Sequence, residues 1–220
     1  MTKKIKIDAS IIIINNNREK YLERCLRSCV NQILINKLLE IIFIDNGSSD
    51  NSLKIAENFK DSIKIIRNKK NIGISKSSNQ GLKIAKGNYF MRVDSDDYLS
   101  LTAIDLMVNI MNSNNFSFIC ADHYRVNVKG YKEKVIRLNN EHNIKNHGAG
   151  ILFNKKIFLK MGAYNENLKE AEDYEIISKI MKKYNYFYLP VPLYRYYIHN
   201  KNISHSGKRK KIIEKINKYL

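Results

Sequence analysis

From Ile5 to Val93 the chain alternates short β-branched runs with amphipathic helical segments, and no other feature restricts its folding as much. Ile5 to Ile14 suits a strand buried on both faces, and Arg18 to Val30 follows with Leu22, Leu26 and Cys29 at helical spacing. Leu39 to Ile44 is a second strand, Asp45-Asn46-Gly47-Ser48 a loop, and Ser49-Asp50 opens a helix through Leu53, Ile55, Ala56 and Phe59. Ile63 to Ile66 makes a third strand. A helix from Ser75 to Ala85 stops at Gly87, a residue suited to ending helices, and Tyr89 to Val93 is the fourth strand. Strand and helix in this order and at this spacing predict an α/β fold with a parallel sheet and right-handed crossovers.

The remainder is less regular. Leu101 to Met111 reads as a helix, Phe116 to Ala121 as a strand, and His123 to Leu138 as further strands of antiparallel kind. Lys156 to Met161 makes a short helix capped by Gly162, and Asp173 to Tyr184 a helix with Ile176, Ile177, Ile180 and Met181 on one side. Pro190 and Pro192 demote Tyr188 to Ile198 to an edge or interrupted strand. Lys208 to Leu220 aligns Ile212, Ile213, Ile216 and Leu220 on one helical side with lysines on the other, a pattern that fits an anionic membrane interface or packing on the domain.

At 220 residues and 44% hydrophobic the chain has enough apolar material for one independent core. Cys25, Cys29 and Cys120 are too few for a disulfide framework and lack zinc spacing, which fits a reducing cytoplasm. The basic N-terminus before Ile11-Ile12-Ile13-Ile14 imitates a secretion signal, but the apolar run is too short and lacks a small-residue cleavage site. No stretch approaches the ~20 apolar residues of a membrane span. A formal charge of +18 attracts polyanions. Nucleic acid is nonetheless a poor fit, because the lysines are dispersed and no ribonucleoprotein, zinc-finger or helix-turn-helix motif is present.

Chemistry is concentrated in Val93-Asp94-Ser95-Asp96-Asp97, where three carboxylates follow the fourth strand. Ligands of open α/β sheets bind at the carboxyl ends of strands, and acids this close repel one another unless a cation sits among them. A divalent cation bridging to a substrate phosphate answers that need, and a turn with a helix cap is the alternative.

Six blocks then resemble a family 2 glycosyltransferase of the GT-A fold, from roughly Lys4 to Ser206. They are Ile11 to Leu22, Ile44 to Asp50, Asn71-Ile72-Gly73 through Asn79, Ala85 to Tyr89, Asp94-Ser95-Asp96-Asp97, and Glu172-Asp173-Tyr174. The resemblance implies a Rossmann-like, mostly parallel sheet flanked by helices, with a smaller antiparallel acceptor-side part. It divides the chain into a nucleotide-binding half at 1–97, an acceptor half at 98–206 and the basic helix at 207–220. It implies transfer of a sugar with inversion from a nucleotide-diphosphate donor, UDP-linked by analogy, to a hydroxyl of a glycan or lipid-linked acceptor. Mn2+ or Mg2+ would assist, and the work would be cytoplasmic, with peripheral membrane contact as an option.

By the same resemblance Asp96 and His199 are the expected metal ligands, while Asn15, Asn17, Asp45, Lys76, Asn79, Asp94 and Ser95 surround the donor, with Asp45 accepting from N3 of a uracil. Asp173 is the expected general base, although a helix N-terminus also favours an acid there. The sequence departs from the family at several positions: Ile14-Asn15-Asn16-Asn17 stands where Pro-Thr-Tyr-Asn is common, Asn46 replaces a frequent second aspartate, Ser78 replaces an arginine for which Lys76 stands in nearby, and Tyr197 replaces another. Gly148-Ala149-Gly150 offers small residues for close approach of a sugar, or a plain bend. Two other classes stay open: a catalytically silent binding module, which would bind donor poorly, and a basic nucleic-acid-binding protein, whose binding would weaken with salt.

Overall fold

The computed structural model describes residues 6–199 and 207–220. Four parallel strands form its first half: β1 (Ala9–Asn15), β2 (Leu39–Asn46), β3 (Lys64–Asn68) and β4 (Tyr89–Asp94). Helices α1 (Glu19–Val30), α2 (Ser52–Glu57) and α3 (Ile74–Ile84) connect them, close to the bounds expected from the sequence. The helix expected to open at Ser49-Asp50 starts later, because Asp50 Oδ1 accepts from the Ser52 amide and caps from outside.

β5 (Tyr98–Leu99), α4 (Ala103–Ser113), β6 (Phe118–Val126), β7 (Lys132–Ile136), α5 (Glu141–Asn146), β8 (Leu152–Asn154), α6 (Lys155–Lys160), α7 (Glu172–Met181), β9 (Phe187–Tyr197) and α8 (Gly207–Tyr219) follow. All nine strands join one sheet in the order β3-β2-β1-β4-β8-β6-β9-β5, with β7 beside β6. The β6–β7 hairpin is antiparallel as expected, and β8 runs antiparallel to both β4 and β6. β9 is interrupted rather than an edge: its parallel ladder with β6 slips around Asp122, opposite Pro192, and the two-residue β5 covers only its far end.

Alternation along the central strands divides the core between the two faces. Ile11, Ile13, Phe43 and Val93 pack with Leu22, Cys25, Leu26 and Cys29 of α1 and with Met107 and Val108 of α4. Ile12, Ile42, Ile44 and Phe90 face Leu82 of α3, Phe158 of α6 and Ile176, Ile177 and Ile180 of α7. The three cysteines are buried and free, so Cys25 and Cys29 serve packing. A smaller cluster joins Ile216 of α8 to Ala171 and Tyr174, with Ile212, Ile213 and Leu220 against it, so the apolar side of α8 is spent on the domain. Among the described residues no helix is long and apolar enough to cross a membrane. The expected boundary at Ser206 lies outside the described residues.

Candidate active site

The parallel register brings the carboxyl ends of β1, β2 and β4 into line, pairing Asn15 with Asp45 and Ile14 with Asp94. A cleft of about 420 Å³ opens beyond them. One wall is Asn16, Asn46, Asn71 and Gly73, the floor is Arg92 and Asp94 to Asp97, and the far wall includes His123, His147, Gly148, Asp173 and Arg209.

Amides cross-link the first wall. Asn16 donates to the Asn46 carbonyl at 2.9 Å, Asn46 donates to Asn71 Oδ1 at 2.9 Å, and Asn71 donates back to Asn16 Oδ1 at 3.3 Å. Gly47 permits this closure: its φ is +74°, and a Cβ there would stand 2.5 Å from the Lys70 carbonyl carbon. Asp45 is buried behind this wall; its Oδ2 accepts from the Ser48 amide, while Oδ1 has no partner among the described residues.

The floor is charged. Arg92, buried beneath the cleft, donates to Glu172 Oε1 at 2.7 Å and lies 3.6 Å from Asp94, tying β4 to the start of α7. Burial pushes the Asp94 carboxyl up, with Arg92 opposing and the nearby Asp96 and Asp173 adding to the rise. Asp96 Oδ2 accepts from Arg18 Nε at 3.1 Å and lies 2.9 Å from His199 Nε2, whose ring stacks on Tyr21. Asp97 caps no helix. It accepts from the Tyr194 hydroxyl and the Tyr197 amide at 2.8 Å each, and so pins the Asp94–Asp97 turn to β9.

On the far wall Asp173 Oδ2 accepts from the Gly148 amide at 3.2 Å, and Oδ1 from Arg209 at 3.0 Å and the Tyr174 amide at 2.8 Å. Burial alone would push this carboxyl up; Arg209, Arg92 and the Tyr174 amide outweigh it and hold the group below the ordinary aspartate range. Glu172 moves the opposite way, raised by burial and by Asp173 against the pull of Arg92. The two adjacent acids are thus shifted in opposite directions, Asp173 down and Glu172 up. The open space at Gly148 and Gly150 is used by the protein itself, since Cβ atoms there would meet Asp173 Cβ at 2.2 Å and the Tyr194 ring at 2.5 Å.

Of the residues expected from the sequence, the cleft gathers Asp94, Ser95, Asp96 and Asp173. The others sit elsewhere. Asn15 is buried and donates to Ser48 Oγ; Asn17 Oδ1 accepts from the Ser49 amide and joins two loops; Lys76 is exposed; and Asn79 exchanges hydrogen bonds with the Tyr164 backbone. None of these four lines the cleft, because the asparagine ring stands on that wall in their place. His199 stands behind Asp96 rather than in the cleft lining. Sequence reasoning missed Asn16, Asn46 and Asn71, although all lie within the recognised blocks. It also passed over Arg18, Arg92, His123, His147 and Arg209. His123 is buried, neither ring nitrogen has a partner among the described residues, and burial pushes its pKa well down.

A family model for glycosyl transferase family 2 matches residues 10–174, and one for glycosyltransferase like family 2 matches residues 131–218. The chain belongs to family 2 of the glycosyltransferases. It is 35% identical over 130 residues to a cholesterol galactosyltransferase of Borreliella burgdorferi, covering 56% of this chain and 36% of that protein. It is 26% identical over 210 residues to a chondroitin synthase of Pasteurella multocida, covering 89% of this chain and 21% of that one. The chain therefore spans only about a fifth to a third of these relatives. The GT-A fold is shared with residues 1–349 of S. aureus TarS crystallised with UDP-GlcNAc: TM-score 0.81, 21% identity, 96% of this chain and 65% of that one.

Proposed function

We propose that this chain is an inverting glycosyltransferase module that moves a sugar from a UDP-linked donor to a hydroxyl of a glycan or lipid-linked acceptor. The observation that carries the reading is the placement of Asp94-Ser95-Asp96 on the floor and an ionised Asp173 on the far wall of one cleft. UDP is supported by the TarS structures with UDP and UDP-GlcNAc.

The chemistry follows from the charges. As the bond from the anomeric carbon to the diphosphate oxygen breaks, the acceptor oxygen bonds to the opposite face of that carbon and its proton passes to Asp173. Negative charge gathers on the departing diphosphate, so positive groups on the floor stabilise the transition state more than the ground state. Arg18 stands there beside Asp96. Asp96 and His199, whose Oδ2 and Nε2 now face each other at 2.9 Å, would hold a metal as an oxygen and a nitrogen ligand, a pair that fits Mn2+ better than the oxygen-seeking Mg2+. Among the described residues no larger ligand cluster exists, so diphosphate and water would complete the shell once Arg18 turned aside. A metal held there would add charge at the leaving group.

The test uses the full chain with UDP, ADP and GDP, each with Mn2+ and with EDTA, followed by UDP release from UDP-GlcNAc and UDP-galactose. A ligand selective for the folded state raises the melting temperature by mass action, and UDP with Mn2+ should raise it most. No rise with any nucleotide would sink the donor-binding reading; a rise without turnover of either sugar would favour the silent binding module.

A further inference from the structure

The basic segment at the C-terminus enters the cleft. We propose that Arg209, carried by α8, is a positioning residue for the reaction, steadying the orientation and charge of the Asp173 carboxylate. The inference rests on the assignment of Asp173 as general base.

Three observations support it. First, the guanidinium lies 3.0 Å from Asp173 Oδ1, is 16% exposed and lines the cleft. Second, α8 docks on α7, the helix that begins at the base, through contacts independent of Arg209. Ile216 packs on Ala171 and Tyr174, the Tyr174 hydroxyl donates to Asn217 Oδ1 at 3.0 Å, and Tyr219 donates to Glu175 at 3.3 Å. Base and counterion are therefore set by one helix pair. Third, Arg209 and the Gly148 amide grip different oxygens, so the carboxylate cannot rotate about its own axis without losing a donor.

The other groups facing Asp173 do not replace Arg209. Arg92 also bears on it, but Glu172 shares Arg92 at 2.7 Å. Asp94 from β4 and Glu172 from α7 repel it, His147 after α5 and the Tyr164 hydroxyl after α6 also bear on it, and Lys169 and Glu170 before α7 share the cleft lining. A partner of opposite charge at this distance lowers an acid by about 1–3 pH units, so losing Arg209 should return much of that. The sign is fixed: without Arg209, Asp173 would hold its proton to higher pH.

The experiment compares wild type, Arg209→Gln, Arg209→Lys and Asp173→Asn as full chains. Aspartate carboxyl carbons are titrated by NMR, with Asp173→Asn assigning the signal, and UDP release from UDP-GlcNAc is followed against pH. Arg209→Gln should raise the Asp173 midpoint by about one pH unit or more and move the acid limb of turnover up with it, leaving the high-pH plateau within about tenfold. Arg209→Lys, which keeps the charge but not the fork, should move both less. A plateau that falls with an unmoved limb overturns the proposal, as does a variant faster at every pH, which would make Arg209 an obstruction. If Asp173→Asn releases UDP normally, the base assignment itself has failed. If Asp173→Asn is inactive and the Arg209→Gln limb stays put, only the role of Arg209 has failed.

Discussion

The two walls of the cleft are built by different physics. On the first wall, neutral amides bond to neighbours brought together by parallel strands, and the buried Asp45 behind it keeps an oxygen without a partner among the described residues. On the floor and far wall, polar and charged groups pair across large sequence separations: Arg92 with Glu172, Asp96 with His199, Asp173 with Arg209. A neutral network tolerates single losses at about 0.5–1.5 kcal/mol each, whereas a buried charge stripped of its partner costs several. The first wall can be retuned piecemeal. The second must be changed as a set.

Asp173 gives the largest expected effect. Asp173→Asn keeps the size of the side chain but cannot take a proton, so UDP release from UDP-GlcNAc should fall by about 10²–10⁴-fold while UDP binding persists. Normal binding with normal turnover would show the far wall to be structural and would move the search for a base to Glu172.

Arg92→Met tests the charge pairing directly. It leaves Glu172, 4% exposed, without its counterion, and should lower stability by about 3–5 kcal/mol in urea denaturation. The double variant Arg92→Met, Glu172→Met should recover most of that loss. Equal destabilisation by single and double variants would show that packing, rather than charge, joins β4 to α7.

Legibility in the sequence followed the same division. β1 to β4 announce themselves because each βα unit is local, and the alternation of Ile11, Ile12 and Ile13 encodes which helix each side chain meets. The parallel pairing of β6 with β9 joins residues such as Ile119 and Phe187, and no local pattern signals it. Asp97 reads as a cap from its neighbours and is a tether to Tyr194 and Tyr197, about a hundred residues on. Gly148 reads as room for a substrate and is room for Asp173. Arg209 lies in a basic helix that reads as facing an anionic membrane or packing on the domain, and the docking of Ile216 brings it to the site. Asn16, Asn46 and Asn71 were visible as residues but not as a ring, since asparagines in loops ordinarily serve turns.

Asp96 stands where the walls meet, and its effect should be intermediate. Asp96→Ala removes the oxygen donor of the Asp96–His199 pair, so UDP binding with Mn2+ should weaken by about 1.5–3 kcal/mol, on the order of tenfold to a hundredfold. In EDTA, with no ion for Asp96 to act through, binding should change little. Calorimetric titration in both conditions checks this. Equal losses would mean that Asp96 acts through the protein and not through an ion.

The smallest effect is expected at Asp45, because that wall is neutral and redundant. Its Oδ2 holds the Ser48 amide, and only Oδ1 is spare. A hydrogen-bond acceptor at that place favours a base that presents an N–H, as uracil does at N3, and disfavours cytosine, which presents a lone pair there. Asp45→Asn can keep the Ser48 contact while turning an NH2 group toward the base, so a donor replaces the acceptor. UDP should then bind more weakly by about 0.5–1.5 kcal/mol, roughly threefold to tenfold, and CDP should gain, so the UDP-to-CDP affinity ratio contracts from both ends. Affinities measured in parallel for the two nucleotides decide the matter. A ratio that stays fixed while both affinities fall would mean that Asp45 only supports the Ser48 turn, and the reading of the base would pass to the ring of Asn16, Asn46 and Asn71.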